Sequence, residues 1–197
     1  MADAAIDNSR HFTYRDYRTW PDGERWELIE GVAFSMSPAP NLRHQAISRW
    51  LSLRLGSFLE NKPCILYVAP VDVLLPKFGQ LDDETDNVVE PDIVVVCDRS
   101  KLTEGYIRGA PDLVVEILSP RTSKRDLKEK FELYETAGVR EYWVIEPKAC
   151  WLHRYVLGTE GRFGAALIRE RGDGLGRAAS AVLEGFSFDA EELFRAE

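Results

Sequence analysis

Two short apolar runs carry acids where chemistry could be done: EPDIVVVC at 90–97 and PDLVVEIL at 111–118. Valine and isoleucine runs of this length read as buried strands, and a buried carboxylate needs a cation or donor beside it. The cation this pattern points to is a metal. Paired as an antiparallel hairpin, the two strands set Asp92 beside Glu116, with side chains about 5 Å apart, and Asp112 near Val96. Asp112 and Glu116 share a face of one strand but lie about 13 Å apart, too far for one ion. Asp112 follows a proline at a strand entry and reads as turn chemistry. Glu116, inside VVEIL with no basic neighbour in the run, reads as functional.

A lysine completes the set. The segment 122–137 has helical periodicity, with Thr122 or Ser123 as N-cap and Gly138 beyond its C-terminus. Leu127, Phe131 and Tyr134 mark its inward stripe, and Lys130 stands on that same stripe. Such a lysine could snorkel to the surface. Because the helix follows the strand holding Glu116, Lys130 can instead face the acids, orient a water or offset charge on a pentavalent phosphate. His44, on the inward stripe of an earlier helix, could be a core histidine or a proton shuttle. Glu27 and Glu30 in WELIEG face opposite sides of a strand, so at most one points inward. Arg121, Lys124, Arg125, Lys128 and Lys130 outnumber Asp126 and Glu129 in a basic cluster that could hold phosphates, with a solvated helix face the other reading for Lys124, Arg125 and Lys128.

The elements that must position these groups follow from periodicity and turn chemistry. Residues 1–10 are polar and expected to be flexible. A helical turn spans 12–20, and RWELIEGVAFSM is a strand or hairpin bent at Gly31. A helix over 41–60 starts at an Asn41 cap and places Ile47, Trp50, Leu51, Leu55, Phe58 and Leu59 on one stripe. CILYVAPVDVLLP is a strand interrupted at Pro70. The two acidic strands come next, joined by a long segment, 98–110, that could serve as a lid. After the second helix come further strands, REYWVIEP, ACWLHRYVL and GRFGAALIRE, and a glycine-rich loop, RGDGLGR, that fits no phosphate motif. The order predicts an α/β fold of the α+β, mixed-sheet kind in one domain over 11–197.

With 197 residues, 45% of them hydrophobic, the chain can build a core without staples. Cys64, Cys97 and Cys150 stand apart with no C-x-x-C spacing, so neither a disulfide framework nor a zinc site is expected, and a reducing cytoplasm fits. No leader or membrane span is read, and the mature chain is expected to start near Met1. A net charge of −8 excludes a protein that coats nucleic acid nonspecifically, but not one that cuts it.

These residues resemble the PD-(D/E)XK restriction-endonuclease-like superfamily and, within it, the Uma-two family of bacterial endonucleases. The stretch from Pro111 to Pro147 carries the resemblance, supported by WELIEG at 26–31, His44, EPDIVVV at 90–96 and VLEGFSFDAEELF at 182–194. It implies an αβββαβ core with extra strands at both ends and metal-dependent hydrolysis of phosphodiester bonds in nucleic acid, with DNA the favoured substrate. Asp92 and Glu116 take the places of the superfamily acids and of the metal ligands, for Mg²⁺ or alternatively Mn²⁺. The lysine expected two residues after Glu116 is absent, since Leu118 stands there, and Lys130 looks like its migrated replacement. His44 and Glu27 are auxiliary. Two rival readings are a noncatalytic binding module of the same fold and a hydrolase of a small phosphorylated metabolite. Exposed aromatics such as Trp151 and Tyr155, with edge strands near the C-terminus, could build a homodimer.

Overall fold

The computed structural model describes residues 10–21, 23–36, 41–119, 123–170 and 175–195. The elements in chain order are helix α1 (Tyr14–Tyr17), strands β1 (Trp26–Ile29) and β2 (Val32–Ser35), and helix α2 (Leu42–Leu59). Strands β3 (Ile65–Val68), β4 (Val73–Leu74), β5 (Val88–Val89), β6 (Ile93–Val96), β7 (Ile107–Arg108) and β8 (Leu113–Ile117) follow. Helices α3 (Ser123–Leu127) and α4 (Glu129–Ala137) lead to β9 (Glu141–Glu146), β10 (Trp151–Val156), β11 (Leu167–Glu170), β12 (Arg177–Ala179), β13 (Ser187–Asp189) and α5 (Ala190–Arg195).

Six strands form one sheet in the order β11-β10-β9-β8-β6-β3, and five form a second in the order β2-β1-β5-β4-β7. Within the larger sheet β3, β6 and β8 are antiparallel neighbours, while β8 and β9 run parallel and are joined across α3 and α4. The run α2, β3, β6, β8, α3–α4, β9 is the expected αβββαβ order; further strands lie before and after it, and β4, β5 and β7 of the second sheet are inserted within it. The valine runs lack strand alternation because both faces are covered. Ile93, Val95, Leu113, Val115 and Ile117 pack on Ile47, Leu51 and Leu55 of α2. Val94, Val96 and Val114 on the other face pack on Leu133 and Tyr134 of α4 and on Ile29, Val73 and Val89 of the second sheet.

Local signals placed the element ends well. The Asn41 side chain accepts the N–H of His44 at 2.9 Å, and Gly138 takes the left-handed conformation after α4. Glu30 and Gly31 turn the β1–β2 hairpin with φ of 51° and 73°. The flexible N-terminus, the proline bend at 37–40 and the Thr122 cap lie outside the described residues, apart from Arg10.

Several expectations are corrected. The second helix is two helices broken at Lys128, whose φ and ψ are −126° and −73°. Leu127 is consequently exposed, and Leu133 joins Tyr134 in the core. The apolar run at 64–76 divides between sheets, β3 in one and β4 in the other, across a cis Ala69–Pro70 bond. The 98–110 segment is no free lid: Ile107 pairs with Val73, the N–H of Gly109 donates to Leu74, and Lys101 caps Ala110. Trp151 and Tyr155 are half-buried; Trp151 stacks on His153 and Tyr155 packs on Phe131. Cys64 and Cys97 form a disulfide, because the β3–β6 register that pairs Ile65 with Val96 sets them opposite each other. Cys150 stays a buried free thiol.

Candidate active site

Asp92 immediately precedes β6, and Glu116 is the fourth residue of β8. The register pairing Ile93 with Val115 carries on to set Asp92 opposite Glu116, as the strand patterns predict. The N–H of Ile117 donates to Asp92 Oδ2 at 2.7 Å, and His44 Nε2 of α2 lies 3.1 Å from the same oxygen. Glu116 Oε1 accepts from Lys130 Nζ at 2.8 Å and from the Tyr134 hydroxyl at 2.8 Å. Lys130 therefore faces inward, 2% exposed, rather than snorkelling.

The same ammonium lies 2.7 Å from Glu27 Oε1 and 3.5 Å from Asp126 Oδ1. Glu27 comes from the second sheet, is fully buried and also accepts the N–H of Glu90. Glu30 sits in the exposed turn and pairs with Lys77, so Glu27 is the inward member of WELIEG. Arg125 turns inward as well, its Nε 3.6 Å from Glu27 Oε2. Lys128 is exposed. Asp112 stays out of the site, accepting from the N–H of Cys97 and from Arg140.

Among the described residues four carboxyl groups, Glu27, Asp92, Glu116 and Asp126, thus gather around two cations, Lys130 and Arg125. Burial, opposed by Lys130 and reinforced by Asp126, Asp92 and Glu27, pushes the Glu116 carboxyl well above its ordinary range. Burial also works against the Lys130 charge, but Glu116, Glu27 and Asp126 outweigh it and hold the amine protonated. Burial, with Glu116 next to it, keeps Tyr134 a neutral donor.

A hard divalent cation fits this donor set. The donors that hold the two strand acids fall on Asp92 Oδ2 and Glu116 Oε1, and Asp92 Oδ1 and Glu116 Oε2 receive none among the described residues. Asp92 is 19% exposed, more than Glu27, Glu116 or Asp126. Among the described residues no three His, Cys, Asp or Glu side chains gather as a ready ligand set. Two carboxylates completed by water is a common way to hold Mg²⁺.

Sequence reasoning did not single out Asp126 or the Tyr134 hydroxyl. Asp126 stood as the minority acid in a basic cluster, although its i, i+4 spacing to Lys130 was a readable signal. Tyr134 read only as core.

A mixed sheet in αβββαβ order, with two acids at adjoining strand ends, is the restriction-endonuclease-like arrangement. Residues 14–191 match the Uma2 family, described as "Putative restriction endonuclease", and the chain belongs to that family of restriction-endonuclease-like nucleases. A crystal structure of "a putative nuclease belonging to DUF820" from Anabaena variabilis superposes with a TM-score of 0.72 at 21% identity, covering 93% of this chain and 98% of that one. The "Uncharacterized protein slr1290" of Synechocystis sp. is 24% identical over 182 residues, 88% of this chain and 92% of its own length. No described helix is long and apolar enough to cross a membrane.

Proposed function

We propose that this protein is a Mg²⁺-dependent endonuclease that hydrolyses phosphodiester bonds in DNA. The observation that carries this reading is the opposed pair Asp92 and Glu116, with Lys130 bonded to Glu116 and to Glu27. Family membership supports it, as does the name given to the Anabaena structure.

Asp92 and Glu116 would hold Mg²⁺ or Mn²⁺, which supplies Lewis-acid polarisation of the phosphate and a water acidic enough to attack near neutral pH. Lys130 holds Glu116 in place through Oε1 and adds positive charge beside the reacting phosphate. His44 fixes Asp92 through Oδ2. Its buried Nδ1 has no hydrogen-bond partner, which suits a proton relay. Glu27 anchors Lys130 from the second sheet. A binding module without turnover is the second reading, favoured by the engagement of the Lys130 ammonium with three carboxylates.

The test is a cleavage assay on plasmid, linear, single-stranded and branched DNA, with Mg²⁺ or Mn²⁺ against EDTA, for the wild type and Glu116→Gln. Cleavage that needs the cation and drops by 100-fold or more in the variant is the expected result, the order lost when a charge-stabilising group is removed. A wild type that binds DNA but cuts nothing on the panel makes the binding module the better reading.

A further inference from the structure

Arg125 has no role in the reading above, yet its surroundings are specific. Its side chain is only 12% exposed, and its guanidinium lies over the Phe34 ring, 5.2 Å from the centroid. Phe34 stands on β2 directly opposite Glu27 on β1, so the ring forms the floor beside the acid. Arg125 Nε is buried with no hydrogen-bond acceptor, and Glu27 Oε2 is buried with no donor. They face each other at 3.6 Å, beyond hydrogen-bond length. A buried donor and acceptor left unmade are costly, and an aromatic floor under a guanidinium limits its freedom while its fork stays able to take a pair of acceptor oxygens.

The ionic pattern says which anion suits it. Lys130 is engaged with Glu27, Glu116 and Asp126, whereas the ionic contact of Arg125 is the long one to Glu27. Among the described residues Arg125 is thus the site cation with donors to spare, separated from Glu116 by two ion-pair partners, Glu27 and Lys130. We infer that Arg125 is a phosphate-binding residue of this site, its terminal nitrogens taking the non-bridging oxygens of a DNA phosphodiester while Nε stays turned to Glu27 and Phe34 packs on the guanidinium. This rests on the nuclease reading for the identity of the ligand. It adds a contact that none of Asp92, Glu116 and Lys130 supplies.

The experiment measures binding of full-length protein to fluorescent duplex and single-stranded oligonucleotides across a salt series, and cleavage kinetics with Mg²⁺. The variants are Arg125→Ala, Arg125→Lys and Phe34→Leu, with thermal unfolding of each as a check on folding. Arg125→Ala should weaken binding on the order of 10- to 100-fold, lower the slope of log K against log salt by about one, and raise KM more than it lowers kcat. Arg125→Lys should keep the slope but lose most of the affinity, because the charge stays while the fork is gone. Phe34→Leu should fall between the two. If Arg125→Ala does not fold, Arg125→Lys and Phe34→Leu decide: weaker binding at unchanged slope supports the inference. Affinity, slope and KM unchanged in the folded variants would overturn it and leave Arg125 a counter-ion of Glu27. Binding that depends on Arg125 in a wild type that does not cut sinks the nuclease reading alone. No binding to either oligonucleotide overturns both.

Discussion

Lys130 holds three buried carboxylates at 2.7, 2.8 and 3.5 Å, so its removal leaves them uncompensated in a water-poor site. Lys130→Met should cost about 3–5 kcal/mol in the metal-free protein at neutral pH, measured by urea unfolding. The loss should shrink on acidification, because the Glu116 carboxyl is raised in the folded state. A raised group contributes stability that is complete below its unfolded value and is lost as pH climbs through the folded one. A pH-independent loss would contradict the charge account. Asp72 gives a second, separable case. Burial, only partly offset by the hydrogen bond from Tyr17, pushes its carboxyl up to about 6, with Glu90 adding to the rise and Arg25 opposing it. Its contribution is present below about pH 4 and gone above pH 6, so the wild type should lose about 3 kcal/mol over that window from this group. Asp72→Asn should remove this dependence and be the more stable protein at pH 8. Urea midpoints at pH 4 and pH 8 that differ from wild type by the same amount would rule it out.

The β1–β2 hairpin is the element that brings Glu27 to the site, and its turn leaves little freedom. The N–H of Gly31 donates to Asp86, and its carbonyl accepts the N–H of Phe12. A Cβ on Gly31 would lie 2.2 Å from His11 Nδ1, and its φ of 73° already disfavours any side chain. Gly31→Ala should therefore destabilise by about 3 kcal/mol and lower Tm by about 10 °C, read by calorimetry. A change below about 2 °C would mean that His11 simply moves aside. The break at Lys128 matters at the same scale. Across it Asp126 and Lys130 keep the shared buried face that their i, i+4 spacing gives, while Leu127 is exposed.

For the whole molecule, the site depends on two sheets meeting: Asp92 and Glu116 belong to the larger, and Glu27 to the smaller. Lys130 links them. The larger sheet is also tied covalently at its β3 edge by Cys64–Cys97, which closes a 33-residue separation. Chain-entropy reasoning gives such a closure about 3–4 kcal/mol. Thiol reductant should lower the stability of the wild type by that order and leave Cys64→Ser unaffected, as measured by denaturant unfolding in both redox conditions. Equal stability with and without reductant would show that the crosslink contributes nothing in solution. The disulfide also removes the ground on which cysteine usage pointed to a reducing compartment.

Much of this was legible in the chain. Continuous valine runs meant strands covered on both faces, and strict two-residue alternation meant that one plausible pairing put Asp92 beside Glu116. Asn41 and Gly138 marked helix ends because capping is decided within a few residues. Lys130 could be suspected from a single helical stripe. Other features needed contacts between segments far apart in sequence: Glu27 rather than Glu30, the inward turn of Arg125 onto Phe34, the Cys64–Cys97 pair, and the division of 64–76 between two sheets. Local periodicity says which face of an element is apolar. Only the packed structure decides which other element lies against that face, and hence whether a charge there meets solvent or a partner.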